Sequence, residues 1–595
     1  MKSAAVLSAG GIYPRFAFGA ANGESSGVLQ EFGYSDVSLD SPIHEEQLRQ
    51  TQAVLMGLDD DALLKPFRAM VGQPAPGEDL GGWYSYAPES KDIFELGFAP
   101  GCTFGQWVSA LARSYAIDRS PATREKVMRL NRLYAKTIAS GLFENTRFPA
   151  YSYDKLVCGL IDSHQYAGDP DAFAILDQTT KTALPHLPKK AVEHGQNWRP
   201  GKEKDESYSW DESYTMPENL FLAYQRGAGE QYRLLGSQYL DDAYYDPLAD
   251  GRSNLEGRHA YSHVNSLCSA MQAYLTLGSQ KHLRAAKNGF DFVAAQSFAT
   301  GGWGADETLR APGSDEVYKS LTGSHSSFET PCGSYAHFKL TRYLLRVTRD
   351  PRYGESMERV MYNTVLGALP LEADGRAFYY SDYNFEGRKV YHKQNWACCS
   401  GTLPQVATDY RISTYLRDGR DVFVNLYIPS TVRWMQDGAQ ISLTQQGEYP
   451  YEPAVSFEVK TTKAATFALN LRIPSWAEGA SVAVNGKREA VAAGSFAQVQ
   501  REWKSGDRIE LELPMKIRLE PVDAQHAETV AVLSGPLVLF AINESQSPVT
   551  RAELLAAKKN GTRSWSVETS LGPMKMLPWT VLRGDEPYTT YLRVG

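Results

Sequence analysis

Apolar and polar positions along the chain follow two periods, and the change falls near residue 415. Upstream the spacing is helical. Met357, Val360, Met361, Val365 and Ala368 recur at i, i+3, i+4, i+8 and i+11, one face of a helix. Asp350 and Pro351 stand before that face as N-cap and first helical residue. Comparable runs cover about 105–116, 122–141, 155–167, 171–184, 216–224, 229–241, 261–277, 280–296 and 332–348. Short turns bearing Gly or Asp separate several of them, as at Ala167-Gly168-Asp169 and Leu277-Gly278-Ser279. About ten helices joined this way predict a closed toroid of helix pairs, with an open helical solenoid as the alternative, although no strict repeat period is visible.

Downstream the period becomes two. Val422, Val424, Leu426 and Ile428 alternate, as do Val455, Phe457 and Val459, then Phe467, Leu469, Leu471 and Ile473. Val482 and Val484 lead into Asn485-Gly486, a two-residue hairpin signal, and Ile509, Leu511 and Leu513 alternate before Pro514. Short alternating strands at this spacing predict β-sandwich material. The expected architecture is a large helical domain followed by β-domains, and a strand within about 28–40 could join the later sheets.

Length and charge narrow the function. At 595 residues, 43% hydrophobic and 22% charged, the chain is globular and too long for one core. Lys plus Arg number 61 against 69 Asp plus Glu, a net charge of −8, and no long basic run occurs, so neither nucleic acid nor an anionic membrane is the expected partner. No run of about 18 apolar residues exists to span a bilayer. Within Met1 to Asn22, Lys2, the apolar stretch Ala4 to Ile12 and the Ala20-Ala21 pair read as the tail of an export signal, such as a twin-arginine signal whose arginines lie upstream. That reading places the protein in a bacterial periplasm or outside the cell. A plain disordered terminus and a cytoplasmic protein are the alternative. The 34 Tyr, 23 Phe and 11 Trp suit a sugar-stacking cleft as well as a large core.

The candidate chemistry centres on cysteine and carboxylate. Six cysteines stand at 102, 158, 268, 332, 398 and 399, too few for a disulfide scaffold. Adjacent cysteines rarely bridge each other, so the Cys398-Cys399 pair calls for another explanation. Cys332 opens a predicted helix 66 residues upstream, with Glu329 three residues before it. Three thiolates and one carboxylate make a tetrahedral zinc set; ordinary buried cysteines are the alternative. The loop Thr300-Gly301-Gly302-Trp303-Gly304 runs into Asp306-Glu307. A Glu there, beside Trp303, has the setting of a general acid with a raised pKa, or else of a solvated acid in a tight turn. His259 and His263, at i and i+4, share a face if helical and could hold a metal or substrate. Glu358 sits mid-helix, where a surface charge is the plain reading. No GxSxG elbow, Walker loop or Rossmann fingerprint occurs, which disfavours phosphoryl transfer and cofactor redox.

These pieces together resemble the β-L-arabinofuranosidase-like glycoside hydrolases, families 127 and 146. The resemblance spans nearly the whole chain. Its most specific part runs from Phe328-Glu329-Thr330-Pro331-Cys332 through Lys339-Leu340-Thr341-Arg342 and Glu358-Arg359-Val360-Met361-Tyr362-Asn363 to Trp396-Ala397-Cys398-Cys399. Gly81-Gly82-Trp83, Leu471-Arg472-Ile473-Pro474-Ser475-Trp476-Ala477 and Gly535-Pro536-Leu537 also fit. The resemblance implies an (α/α)6 barrel followed by β-sandwich domains. On that reading residues 1–24 lie outside the fold, 25–415 form the catalytic barrel and 416–520 a β-sandwich. Residues 521–595 then form a second sandwich or complete the first.

The resemblance also implies roles. Zinc would be held by Glu329, Cys332, Cys398 and Cys399, with Cys398 the nucleophile and Glu307 the acid/base. Glu358, His259, His263, Trp83, Trp303, Gln106 and Asp154 would face the sugar. Two departures stand out. Thr330-Pro331 puts two residues between the zinc Glu and Cys where the family usually has one. Relatives often carry histidines where this chain has Cys102, Gln106, Asp154 and Met216, which points to a changed substrate rather than lost chemistry. The stretch from Glu307 to Glu329 is also long, leaving Asp315 or Glu316 as alternative acids. The implied activity is a zinc-dependent retaining exo-glycosidase releasing a terminal furanose, by default β-L-arabinofuranose, through a cysteine thioglycosyl intermediate. A branched, acidic or D-configured sugar is the alternative, and a carbohydrate-binding protein with a structural zinc is a third reading. Iron is the rival metal, and the β-domains could mediate a homodimer.

Overall fold

The computed structural model describes residues 27–542, 549–584 and 586–595. The export-signal reading of Met1 to Asn22 lies outside them. Six helices form an inner ring: Phe104–Asp118, Pro149–Asp162, Pro217–Gln225, Ala260–Leu277, Thr330–Thr348 and Cys399–Thr414. Each packs on the next, and Cys399–Thr414 returns to Phe104–Asp118, so the ring closes and the toroid is the observed arrangement. Five outer helices follow their inner partners in sequence: Pro121–Ala135, Ala172–Ala183, Glu230–Gln238, Gln280–Ala294 and Pro351–Asn363. The sixth outer helix, Pro42–Gly57, comes from the other end of the barrel sequence and packs on Cys399–Thr414.

The two rings differ as their environments require. Outer helices are amphipathic: Pro351–Asn363 buries Tyr353, Met357, Val360 and Met361 along one face. Inner helices are buried all round, so Ala260–Leu277 is buried from Ala260 through Ala273. Close approach in the ring needs glycine. A Cβ on Gly105 would sit 1.9 Å from the Lys155 carbonyl oxygen, and Gly159 faces Gly105 in return.

Two sheets share a core beyond the barrel, with Val432, Leu443, Phe457, Leu469 and Val499 in one cluster. The five-stranded sheet runs Gln30–Glu31, Tyr415–Asp418, Asp421–Val424, Ala465–Ile473, Ser495–Trp503. The seven-stranded sheet runs Lys487–Ala490, Ser481–Val484, Arg508–Glu512, Ala454–Thr461, Ala439–Gln446, Ser430–Gln436, Val37–Leu39. The segment expected to supply an early strand supplies one to each sheet. Val484 pairs with Lys487 across Asn485 and Gly486, both at positive φ, which is the twist a two-residue hairpin requires. From Ile517 onward the chain builds a third, eight-stranded sheet.

Candidate active site

The site grows from two helix N-termini. Glu329 is the N-cap of Thr330–Thr348 and Cys332 its third residue; Cys398 is the N-cap of Cys399–Thr414 and Cys399 its first residue. Both positive helix ends therefore face one point, where they favour thiolate and carboxylate. The extra residue before Cys332 is absorbed as a helical turn: Glu329 and Cys332 stand at i and i+3, with Pro331 in the first turn where its missing N–H costs nothing. Glu329 Oε1 lies 3.3 Å from Cys398 Sγ and 4.0 Å from Cys399 Sγ, and Cys332 Sγ lies 3.5 Å from Cys399 Sγ. Sulfurs at about 2.3 Å from a tetrahedral zinc stand about 3.8 Å apart, so the donor set fits such an ion. All four ligand atoms lie within 4.8 Å of one another, and the buried Glu329 Oε2 has no hydrogen-bond partner among the described residues.

Glu307 reaches the same place by a different path. Gly304 turns at positive φ so tightly that a Cβ there would lie 2.3 Å from that of Ala260. Asp306 and Glu307 follow at φ 53° and 55°, left-handed conformations that non-glycine residues seldom adopt. This strained turn sets Glu307 beside His259, with its carboxylate accepting from His259 Nε2 at 3.3 Å and from the Tyr380 hydroxyl at 2.5 Å. Tyr380 arrives because Tyr380–Ser381 pairs with Phe328–Glu329, the strand that ends at the cluster. The same pairing places the Tyr379 hydroxyl 3.2 Å from Cys398 Sγ.

These contacts decide the charges. Burial opposes ionisation of the Cys398 thiol, but hydrogen bonds from Cys332, Cys399 and Tyr379 outweigh it and hold its pKa well below the usual range. Burial pushes the Glu329 carboxyl well up, and the neighbouring Cys398 pushes the same way. For Glu307 the expected upward shift is reversed: burial does push up, but His259 and the tyrosine hydroxyls win, leaving the carboxyl below its ordinary value. Burial works against a charge on His259, yet Glu212 and Glu307 raise its pKa well above the usual 6.5.

Cys398, Glu307 and Glu329 open on a cavity of about 200 Å³. His259, Glu212, Tyr151, Tyr261, Tyr379, Tyr380 and His392 give it polar groups; Trp83, Phe98, Ala99, Cys102, Phe148 and Trp210 add an aromatic, largely apolar lining, with Trp210 edge-on to His259 at 5.4 Å. Phe94, half exposed and stacked on Phe98 at 5.4 Å, stands among the same lining residues.

Of the residues expected to face the sugar, His259 and Trp83 line this cavity. The others belong elsewhere. Glu358 is fully buried against the first sandwich, paired with Arg472 at 2.9 Å and accepting from Tyr449 at 2.8 Å. His263 points to Glu193 and to the His259 carbonyl. Trp303 is core, donating to His337 Nδ1 at 3.3 Å. Gln106 donates to Gln405, and Asp154 is held by Lys155 and Asn219. Asp315 and Glu316 both pair with Lys319 at the surface, leaving Glu307 as the carboxylate beside the cluster. Glu212, Trp210, Tyr379 and Tyr380 were not foreseen. They lie in irregular or two-residue elements without a period, and only the doubled tyrosine is a visible signal.

A cavity lined by aromatic rings and carboxylates, set in a ring of six helix pairs, has the make-up of a sugar-binding site. The family comparison makes this specific. The GH127 catalytic-domain model of β-L-arabinofuranosidase matches residues 36–411 and the GH127 middle-domain model residues 421–515, so the chain belongs to this family of glycoside hydrolases. Among solved structures, a GH127 β-L-arabinofuranosidase from Geobacillus stearothermophilus T6 superposes with TM-score 0.71 at 17% identity, covering 94% of this chain and 100% of its own. A second GH127 β-arabinofuranosidase gives TM-score 0.72 at 16% identity, covering 95% and 98%. A third structure, described as a glycoside hydrolase, gives 0.65 at 17%, covering 96% and 98%. A comparison with curated proteins finds no match.

Proposed function

We propose that this glycoside hydrolase is a retaining exo-enzyme that releases a terminal β-L-arabinofuranose, using Cys398 as nucleophile and Glu307 as acid/base. The observation that carries the reading is a cavity-facing thiol, in a cluster of four ligand atoms and with a depressed pKa, sharing one small cavity with a buried carboxylate. A zinc ion held by Glu329, Cys332, Cys398 and Cys399 would keep the thiols deprotonated and gather them without a disulfide. The Tyr379 hydroxyl, donating to Cys398 Sγ, fixes the direction of attack. Cys398 Sγ bonds to the anomeric carbon as the glycosidic C–O bond breaks. The leaving oxygen takes the proton that Glu307 and His259 share. Glu307 then accepts a proton from water, whose oxygen displaces Cys398 from the thioglycosyl intermediate, and the configuration is retained.

A second reading keeps this chemistry and changes the sugar. Phe98, Ala99 and Phe148 offer a glycone apolar side-chain surface rather than hydrogen bonds. Glu212 and Glu307, both held below the ordinary carboxylate range, line the same cavity, so an acidic sugar would meet like charge and a neutral one is favoured. Sugar release from a panel of aryl furanosides and pyranosides decides. Wild type should cleave the β-L-arabinofuranoside; Cys398→Ala should be inactive though folded. Glu307→Gln should lose at least about 10²-fold on poor leaving groups and far less on good ones. Full activity of Cys398→Ala would sink the nucleophile assignment, and metal analysis of the purified protein tests the zinc.

A further inference from the structure

Glu212 is a cavity group that the reaction does not use. It sits in a tight turn before the Pro217–Gln225 helix, its carbonyl accepting from Thr215 N at 3.1 Å and Thr215 Oγ1 at 2.9 Å. Its side chain is buried, with 4% of its surface exposed. His259 Nδ1 approaches Oε1 at 2.8 Å and His194 Nδ1 at 3.6 Å. Neither approach is an in-line hydrogen bond: His259 Nδ1 is engaged with Ser262 Oγ at 2.7 Å, and both Glu212 Oε1 and His194 Nδ1 are buried without a hydrogen-bond partner. A protonated His259 offsets the charge of this carboxylate without satisfying the lone pairs of Oε1. Buried acceptors are ordinarily satisfied, and an ionised carboxylate has about four acceptor positions to fill.

We infer that Glu212 is the substrate-anchoring carboxylate of the site, accepting a hydrogen bond from a hydroxyl of the glycone held between Cys398 and Glu307. The inference rests on the glycosidase reading and deepens it. Glu212 carries this orphaned acceptor while lining the same cavity as Cys398 and Glu307. Much of the remaining lining is aromatic or apolar, so a buried carboxylate is a strong point of hydroxyl recognition in this cavity. Carboxylate–hydroxyl bonds are charge-assisted, and a site built around one rejects the analogue that lacks the hydroxyl. His259 links the two carboxylates, touching Glu212 on one side and Glu307 on the other. A glycone engaged with Glu212 therefore lies against the residue that shares the proton of Glu307.

The test compares wild type and Glu212→Gln on 4-nitrophenyl β-L-arabinofuranoside and on its 2-, 3- and 5-deoxy counterparts. One deoxy substrate should be cleaved about 10²-fold or more less efficiently by wild type, and Glu212→Gln should lose a similar factor on the parent sugar. On that deoxy substrate the two enzymes should agree within about threefold, because the bond is already missing. An equal loss on every substrate, with the pH profile of kcat/KM displaced, would make Glu212 only a support for His259 and overturn the inference. If wild type cleaves another glycoside of the panel, the arabinose reading falls alone, and that sugar's deoxy series gives the same comparison. Release from no substrate overturns both.

Discussion

Glu307 and His259 titrate as one unit, and their behaviour is the first thing a single substitution should expose. The pair holds a proton that leaves only above the ordinary histidine pKa, because Glu212 and Glu307 raise it. The acid form of the enzyme is thus present below that raised pKa and lost as pH rises through it. In His259→Gln the imidazolium is gone, and the proton resides on Glu307 alone, whose burial lifts it only from 4.5. The alkaline limb of kcat/KM should move to lower pH, measured as a full pH profile; an unmoved limb would separate the two residues. At this scale the sequence was informative where residue types are rare. Adjacent cysteines, a Glu one turn before a third Cys, and a Gly-rich loop ending in Glu all signal chemistry by spacing. Glu358 reads as a surface charge from its helix and as a sugar contact from the resemblance, and it is neither, because its partner Arg472 arrives from a strand more than a hundred residues later. Glu212 had no signal, since its meaning comes from the His194 and His259 rings stacked 4.9 Å apart beside it.

Outer helices with one wet face were readable, and so were five of the six inner ones; Cys399–Thr414 was not. Pro351–Asn363 declares itself by its stripe, N-cap and first-turn proline. Cys399–Thr414 is buried along its whole length, carries Pro404 inside, and therefore shows no period. Pro404 cannot donate to the Ser400 carbonyl four residues back, and Trp107 Nε1 from the neighbouring inner helix does so instead at 3.0 Å. The break in one helix becomes a bond that closes the ring. Glycine does similar work between Phe104–Asp118 and Pro149–Asp162. Gly105→Ala would force a methyl into the Lys155 carbonyl, and a loss of about 3 kcal/mol is expected in denaturant unfolding. A neutral result would mean that the two helices separate easily.

The barrel and the sheets are joined by buried charge. Glu358 and Arg472 are both fully buried at their junction. Glu358→Ala should cost about 3–5 kcal/mol in stability, while kcat/KM of the remaining folded enzyme stays near wild type. A collapse in turnover of the folded fraction would return Glu358 to the sugar site. Lys389 ties the barrel to the third sheet, donating to the carbonyls of Gly367 and Trp579 at 2.7 Å and of Leu582 at 3.0 Å. Burial pushes its amine down to about 7 from 10.5. The unfolded chain therefore binds this proton more tightly between those values, and stability from this group rises as pH climbs from about 7 towards 10.5, by at most about 1.4 kcal/mol per unit. Lys389→Met should be less stable at every pH, with the gap from wild type widening between pH 7 and 9 in thermal melts. A constant gap would mean that the ammonium stays charged.

The two short N-terminal strands set a schedule. Gln30 pairs with Arg417 and Val37 with Val432, so each waits for a partner about 390 residues further along. At about 5–20 residues per second of synthesis, that wait is roughly twenty to eighty seconds. Through this interval the Pro42–Gly57 helix also lacks its seat, because Cys399–Thr414 has yet to be made. The first elements off the ribosome are the last to settle, and the cysteine pair that completes the site appears only as the ring becomes able to shut.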